Sequence, residues 1–149
     1  MAEQSAPPAP APPPPLTLDL SDFADAVDHA LANQTPMVIA SVHDGQPDVA
    51  FKGSFMVWDS DHLAYWERGL NETLAGIRDN PHVAVLVRPK GSPPVRFYGQ
   101  ARVVEDAAEQ EAIWQRVIPE EQGRDPDKKG CAVVIRVERI RRGPQSVTR

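Results

Sequence analysis

The chain has 149 residues, with sixteen Lys or Arg against twenty-one Asp or Glu and a formal net charge of −5. That length supports one hydrophobic core without metals or bridges, and the single cysteine cannot form an internal disulfide. The acidic balance offers no field for polyanionic nucleic acid, and no apolar run nears the roughly 20 residues that cross a bilayer, so a cytoplasmic protein with neither partner is expected.

Residues 1–15 hold seven of the sixteen prolines and one charge, Glu3, which predicts a disordered or polyproline-II tail. From Leu20, the spacing of Phe23, Val27 and Leu31 predicts a helix, with Ser21 placed to cap it and Asn33 and Pro36 as its stop. Met37 to Val42, the dipeptide Asp44-Gly45 and the apolar run from Val49 to Trp58 read as a hairpin with a type I′ turn. The strand His62 to Glu67 follows, then a short helical stripe of Leu70, Leu74 and Ile77 that stops at Asn80-Pro81. Two more strands, His82 to Arg88 and Val95 to Val104, flank a Pro/Gly/Ser loop. Asp106 and Glu109 have capping-box spacing ahead of a third helix bearing Ile113, Trp114 and Val117. Glu120 to Gly130 reads as a loop and Cys131 to Val137 as the last strand. The pattern predicts an α+β domain over residues 16–142, with six mainly antiparallel strands, enough for a small barrel, and a flexible end at 143–149.

Two stretches could carry chemistry. Alternation along the long strand puts Lys52 and Ser54 on one face, with Gly53 between them. A strand glycine marks either an incidental bulge or a place where a ligand or another backbone comes close. Downstream, Arg68, Asn71 and Thr73 surround a helix start, whose free N–H groups suit a phosphate, although Asn71 equally suits a plain helix cap. His29, His43, His62 and His82 show no metal-ligand spacing, and Cys131 opens an apolar strand as a structural thiol.

In order, Gly45-Gln46-Pro47, Lys52-Gly53-Ser54, Tyr65-Trp66, Asn80-Pro81-His82-Val83 and Arg96 to Ala101 resemble the FMN-binding split barrels related to pyridoxamine 5′-phosphate oxidase. Asp61 to Arg68 looks like a small single-domain branch of that family. The resemblance implies a split β-barrel homodimer with FMN, or a deazaflavin, in a groove between subunits. Lys52, Gly53 and Ser54 would line the ring, and Trp66, Glu67, Arg68, Asn71 and Thr73 would lie near the ribityl and phosphate. It also implies an FMN-dependent oxidoreductase acting on a small-molecule substrate or electron acceptor. The alternatives are a non-catalytic binder of flavin, deazaflavin or haem in the same groove, or a dimer with an empty groove. Where the oxidases carry a Ser-x-Lys pair, this chain has Asn71-Glu72-Thr73, and their strand arginine has no clear equivalent at Val49 to Phe51. FMN is expected to bind in preference to riboflavin, through Arg68 and the helix start at Asn71.

Overall fold

The computed structural model describes residues 5–12 and 14–149; of the expected tail, residues 1–4 and 13 lie outside the described residues. Residues 5–12 are exposed and belong to no helix or strand. Among the described residues of the tail, Pro14 accepts a hydrogen bond at its carbonyl from Arg142 Nη2 at 2.9 Å, and Leu16 is buried. A 3-10 turn, Leu20–Phe23, leads into α1 (Ala24–Asp28). Its cap is Asp19, not Ser21: the shorter-reaching hydroxyl is itself held by the Asp19 carboxylate, which also accepts from Ser21 N.

Strands β1 (Met37–His43) and β2 (Gln46–Lys52) pair antiparallel from Met37 opposite Lys52 to His43 opposite Gln46. Asp44 at φ 49° and Gly45 at φ 74° give the left-handed pair that a type I′ turn requires. The expected single strand from Val49 to Trp58 breaks after Lys52. The chain bends through residues 53–55 and joins β4 (His62–Glu67) as the two-residue strand β3 (Met56–Val57). The cause is a contact with another strand: Ser54 Oγ accepts from Trp66 N at 2.9 Å and donates to Trp66 O at 3.1 Å, so a side chain occupies the β4 backbone where the ladder would have continued.

With β5 (His82–Val87), β6 (Val95–Val103), β7 (Cys131–Arg142) and β8 (Gln145–Thr148), the sheet runs β2-β1-β5-β6-β7-β4-β3, and β8 pairs with β7. Strands β2 and β3 are therefore the two edges, and the 53–55 link ties one edge to the other. This seam makes the curled sheet an α+β split barrel, with eight strands where six were expected. The difference comes from the broken long strand and from β8. Residues 145–148, placed by sequence in a flexible end, pair with β7 because Gly143 (φ 56°) turns the chain back and Val147 packs on the core.

Inside the barrel, Ile39, Leu63, Val85, Phe97, Ile135 and Ile140 are fully buried, and Phe23 meets Phe97 edge-on at 5.3 Å. Helix α2 (Glu72–Asp79) crosses from β4 to β5 and buries Leu74 and Ile77 in the same core. Helix α3 (Ala107–Arg116) covers the opposite face of β4 and β7, where Trp114 packs on Trp66 with ring centroids 4.8 Å apart. Only half of the expected capping box forms, since Asp106 caps Glu109 N while the Glu109 carboxylate turns to Arg102. The expected loop 120–130 begins inside α4 (Pro119–Gln122), where proline at the first helical position presets φ.

Candidate functional site

The seam brings Lys52 to β4. Lys52 Nζ donates to Glu67 Oε1 at 2.9 Å; it also lies 2.8 Å from Oε2, outside hydrogen-bond geometry, so Oε2 has no hydrogen-bond partner. The side chains are 11% and 1% exposed, which makes this a buried ion pair. Register explains it: Leu63, Tyr65 and Glu67 alternate toward the barrel interior, and Lys52 closes β2 on the same side as the buried Met37. The Tyr65 hydroxyl is also buried without a partner. Burial first, and the Glu67 charge second, push its pKa well above the usual phenol range.

Beside this pair runs a groove of about 320 Å³, lined by Lys52, Gly53, Glu67, Arg68, Asn71 and Glu121. Six of the eight expected site residues, Trp66 among them, therefore line one cleft. The other two do structural work. Ser54 is consumed by the Trp66 backbone, and Thr73 is buried at the first turn of α2. Trp66, though it lines the groove, has its indole Nε1 committed to Asp125 Oδ2 at 2.8 Å.

The cations in the groove are already matched. Arg68 Nε sits 3.4 Å from Glu121 Oε2, and Arg124 Nε 3.8 Å from Glu121 Oε1. Glu121 is 5% exposed and lies over Gly53, where a Cβ would stand 2.5 Å from Glu121 Oε1; that close approach is what the strand glycine admits. At the helix start, Asn71 Oδ1 accepts from Thr73 N at 3.2 Å, so the cap fills part of the expected cradle, and Glu72 adds a negative charge there. The groove is thus lined mainly by polar and charged groups that already have partners within the protein. Of the groups expected around a phosphate, Arg68 stands beside Glu121 and Asn71 is engaged in capping α2.

Glu121 and Asp125 were not singled out in the sequence because both lie in the stretch expected as a polar loop; Pro119 was the one available sign of a helix there. Asp125 accepts from Trp66 Nε1, Gly130 N and Lys129 N. Burial raises its pKa, but these hydrogen bonds outweigh that effect and hold it below the usual carboxylate value. Cys131 stands opposite Glu67 in the β4–β7 register, and burial, then the Glu67 charge, raises its thiol, consistent with a structural role. A roomier cleft of about 530 Å³ between residues 34–36 and the 88–93 loop contains none of the residues singled out in the sequence.

On the outside of the barrel, Val49 and Phe51 of β2 are 69% and 72% exposed. Pairing sets Phe51 beside Val38 and then Leu86, and Val49 beside Ala40 and then Ala84, giving two apolar rows across β2, β1 and β5. These neighbours are half-buried and belong to neither core. Among the described residues, no helix is long and apolar enough to cross a membrane.

The family model for pyridoxamine 5′-phosphate oxidase matches residues 23–142. Comparison with curated protein sequences gave no match. Among solved structures, HupZ of Group A Streptococcus is 26% identical with a TM-score of 0.67, covering 87% of this chain and 97% of that one. An FMN-binding protein from Syntrophomonas wolfei is 14% identical, with a TM-score of 0.64 and coverage of 87% and 88%. A FAD-binding protein from Mesorhizobium loti is 19% identical, with a TM-score of 0.56 and coverage of 74% and 86%. The last two likenesses are of fold.

Proposed function

Because the chain belongs to the pyridoxamine 5′-phosphate oxidase family, we propose that it is a homodimeric flavin-binding protein whose seam groove holds the ring rather than the phosphate. The observation that carries this reading is the pairing of the groove's cations, Lys52 with Glu67 and Arg68 with Glu121. A charge-assisted contact is worth roughly 1.5–3 kcal/mol, and an arginine already held by a carboxylate gives up one such contact to make another. The backbone of Lys52 and Gly53 then orients the ring, and apolar surface around Phe51 excludes water. A bound flavin supplies the electron-transfer chemistry, and the protein supplies orientation and electrostatics.

The apolar rows from Phe51 to Leu86 support the homodimer. A patch of this kind, contiguous with the groove, is what a two-fold interface covers in a small domain. A second reading, an FMN-dependent oxidoreductase that grips the phosphate through Arg68, is favoured by the fold it shares with the FMN-binding protein. It requires Arg68 to leave Glu121. Fluorescence titration with FMN and with riboflavin separates the two readings. Dissociation constants within about three-fold of each other support the ring-held mode. A preference for FMN of about ten-fold or more supports the second reading. Saturable binding of neither flavin would overturn both and leave a different occupant, such as haem or a deazaflavin, or an empty groove.

A further inference from the structure

The outer face of the sheet changes character along its strands, from apolar on β2, β1 and β5 to basic on β6 and β7. Arg96 stands directly opposite Arg141 in the β6–β7 ladder, and Tyr98 opposite Arg139. All four point away from the core and are half-buried. Like charges placed directly across a ladder repel, and diagonal neighbours about 7–8 Å apart remain within reach of long side chains. Three guanidinium groups thus share a small patch of a chain whose net charge is −5.

Several other arginines of this protein are held by a carboxylate or by backbone carbonyls, as Arg116 is by Val57 and Trp58. Arg102 is bound to Glu109, Arg68 to Glu121 and Arg149 to Asp61. Among the described residues, Arg96, Arg139 and Arg141 have no carboxylate within ion-pair distance. The nearby acid, Glu138, accepts from Gln100 Nε2 at 3.0 Å. Arg139 stacks on Tyr98, with its guanidinium carbon 4.3 Å from the ring centroid, and its Nε is buried without a hydrogen-bond partner. Stacking fixes the plane of that guanidinium on the face of the ladder that also carries Arg96 and Arg141.

We propose that Arg96, Arg139 and Arg141, with Tyr98 as a stacking platform, form a binding site for a phosphate group carried by a small molecule. A phosphate between the three forks removes their mutual repulsion and takes two-toothed hydrogen bonds that neutral polar ligands cannot match. The site lies on the opposite side of the sheet from the barrel interior. It rests on strand register and side-chain contacts, not on the flavin or dimer reading.

The probes are inorganic phosphate and a phosphate monoester, titrated calorimetrically into the full chain at low salt, with sedimentation velocity run on the same samples. The variants are R141Q, R139Q and the double variant R96Q/R141Q. Saturable binding that weakens about ten-fold in each single variant and vanishes in the double one is the expected result. The unliganded double variant should be at least as resistant to urea as the parent, because its loss relieves repulsion. Loss of stability with no change in phosphate binding would overturn the proposal, as would the absence of saturable binding to the parent chain. Variants that alter only the sedimentation coefficient would assign the arginines to contact between copies and equally overturn it. Binding of inorganic phosphate without the monoester would also overturn it as a site for a phosphorylated small molecule.

Discussion

Lys52, the last residue of one edge strand, places its ammonium nitrogen 2.9 Å from Glu67 Oε1, near the end of β4 and across the seam of the barrel. Either charge alone would be costly at this depth, so each is a condition for the other. Lys52→Met should destabilise the fold by about 3–5 kcal/mol, because it leaves a buried carboxylate uncompensated. The double substitution Lys52→Met, Glu67→Leu should recover most of that loss. Urea unfolding of the two variants checks both statements, and a double variant no better than the single one would show that the pair is worth more than its isosteres.

Glu121 holds both Arg68 and Arg124 at the groove. Glu121→Gln frees two guanidinium groups while keeping the side chain's shape over Gly53. If a freed Arg68 reaches the phosphate, FMN affinity should rise about ten-fold and riboflavin affinity stay near its parent value. Equal changes for the two flavins would mean that the phosphate does not lie near Arg68.

Asp125 ties the indole of Trp66 to the backbone at Lys129 and Gly130. Asp125→Ala leaves three donors without their acceptor and should cost about 3 kcal/mol, with a red-shifted tryptophan emission as the loop opens. The carboxyl is held below its ordinary value in the folded state. The stability it provides is whole above the unfolded-state pKa near 4 and is lost as pH falls through the lower folded value. Acid titration of folding should show this loss below about pH 4 in the parent and a smaller slope there in Asp125→Ala.

Phe51 and Val49 stand on the outer face of β2 with most of their surface exposed. Charged residues there would be solvated in a monomer and expelled from a two-fold interface. Phe51→Glu should convert dimer to monomer in sedimentation velocity with little change in monomer folding. A parent chain that sediments as a monomer at micromolar concentration would remove the dimer from the functional reading.

Residues 5–12 make no helix or strand, whereas Pro14 accepts from Arg142 and Leu16 is buried. Deleting residues 1–12 should leave the melting temperature unchanged. Deleting through Leu18 should lower it by several degrees, since about one buried leucine's worth of apolar transfer, 1.5–3 kcal/mol, is removed.

The sequence by itself determined what depends on neighbours along the chain. Asp44-Gly45 specified the turn and register of the first hairpin through its φ angles, and Asn71 and Asp106 marked two helix starts. The ordered segments were enough to indicate the family. What only the tertiary structure decided lies at the seam. Val49 to Trp58 is apolar on both sides of Lys52-Gly53-Ser54, and such a run does not reveal where a strand will leave one partner for another; Ser54 bonding to Trp66, twelve residues away, makes that break. The charge state of the groove was equally hidden. Lys52 and Glu67 are fifteen residues apart, while Glu121 reaches Arg68 and Gly53 from a segment that reads as a solvated loop. Whether a cation is free to take a phosphate depends on which carboxylates the fold brings within a few ångströms of it, and that distance is a property of packing between remote segments rather than of local sequence.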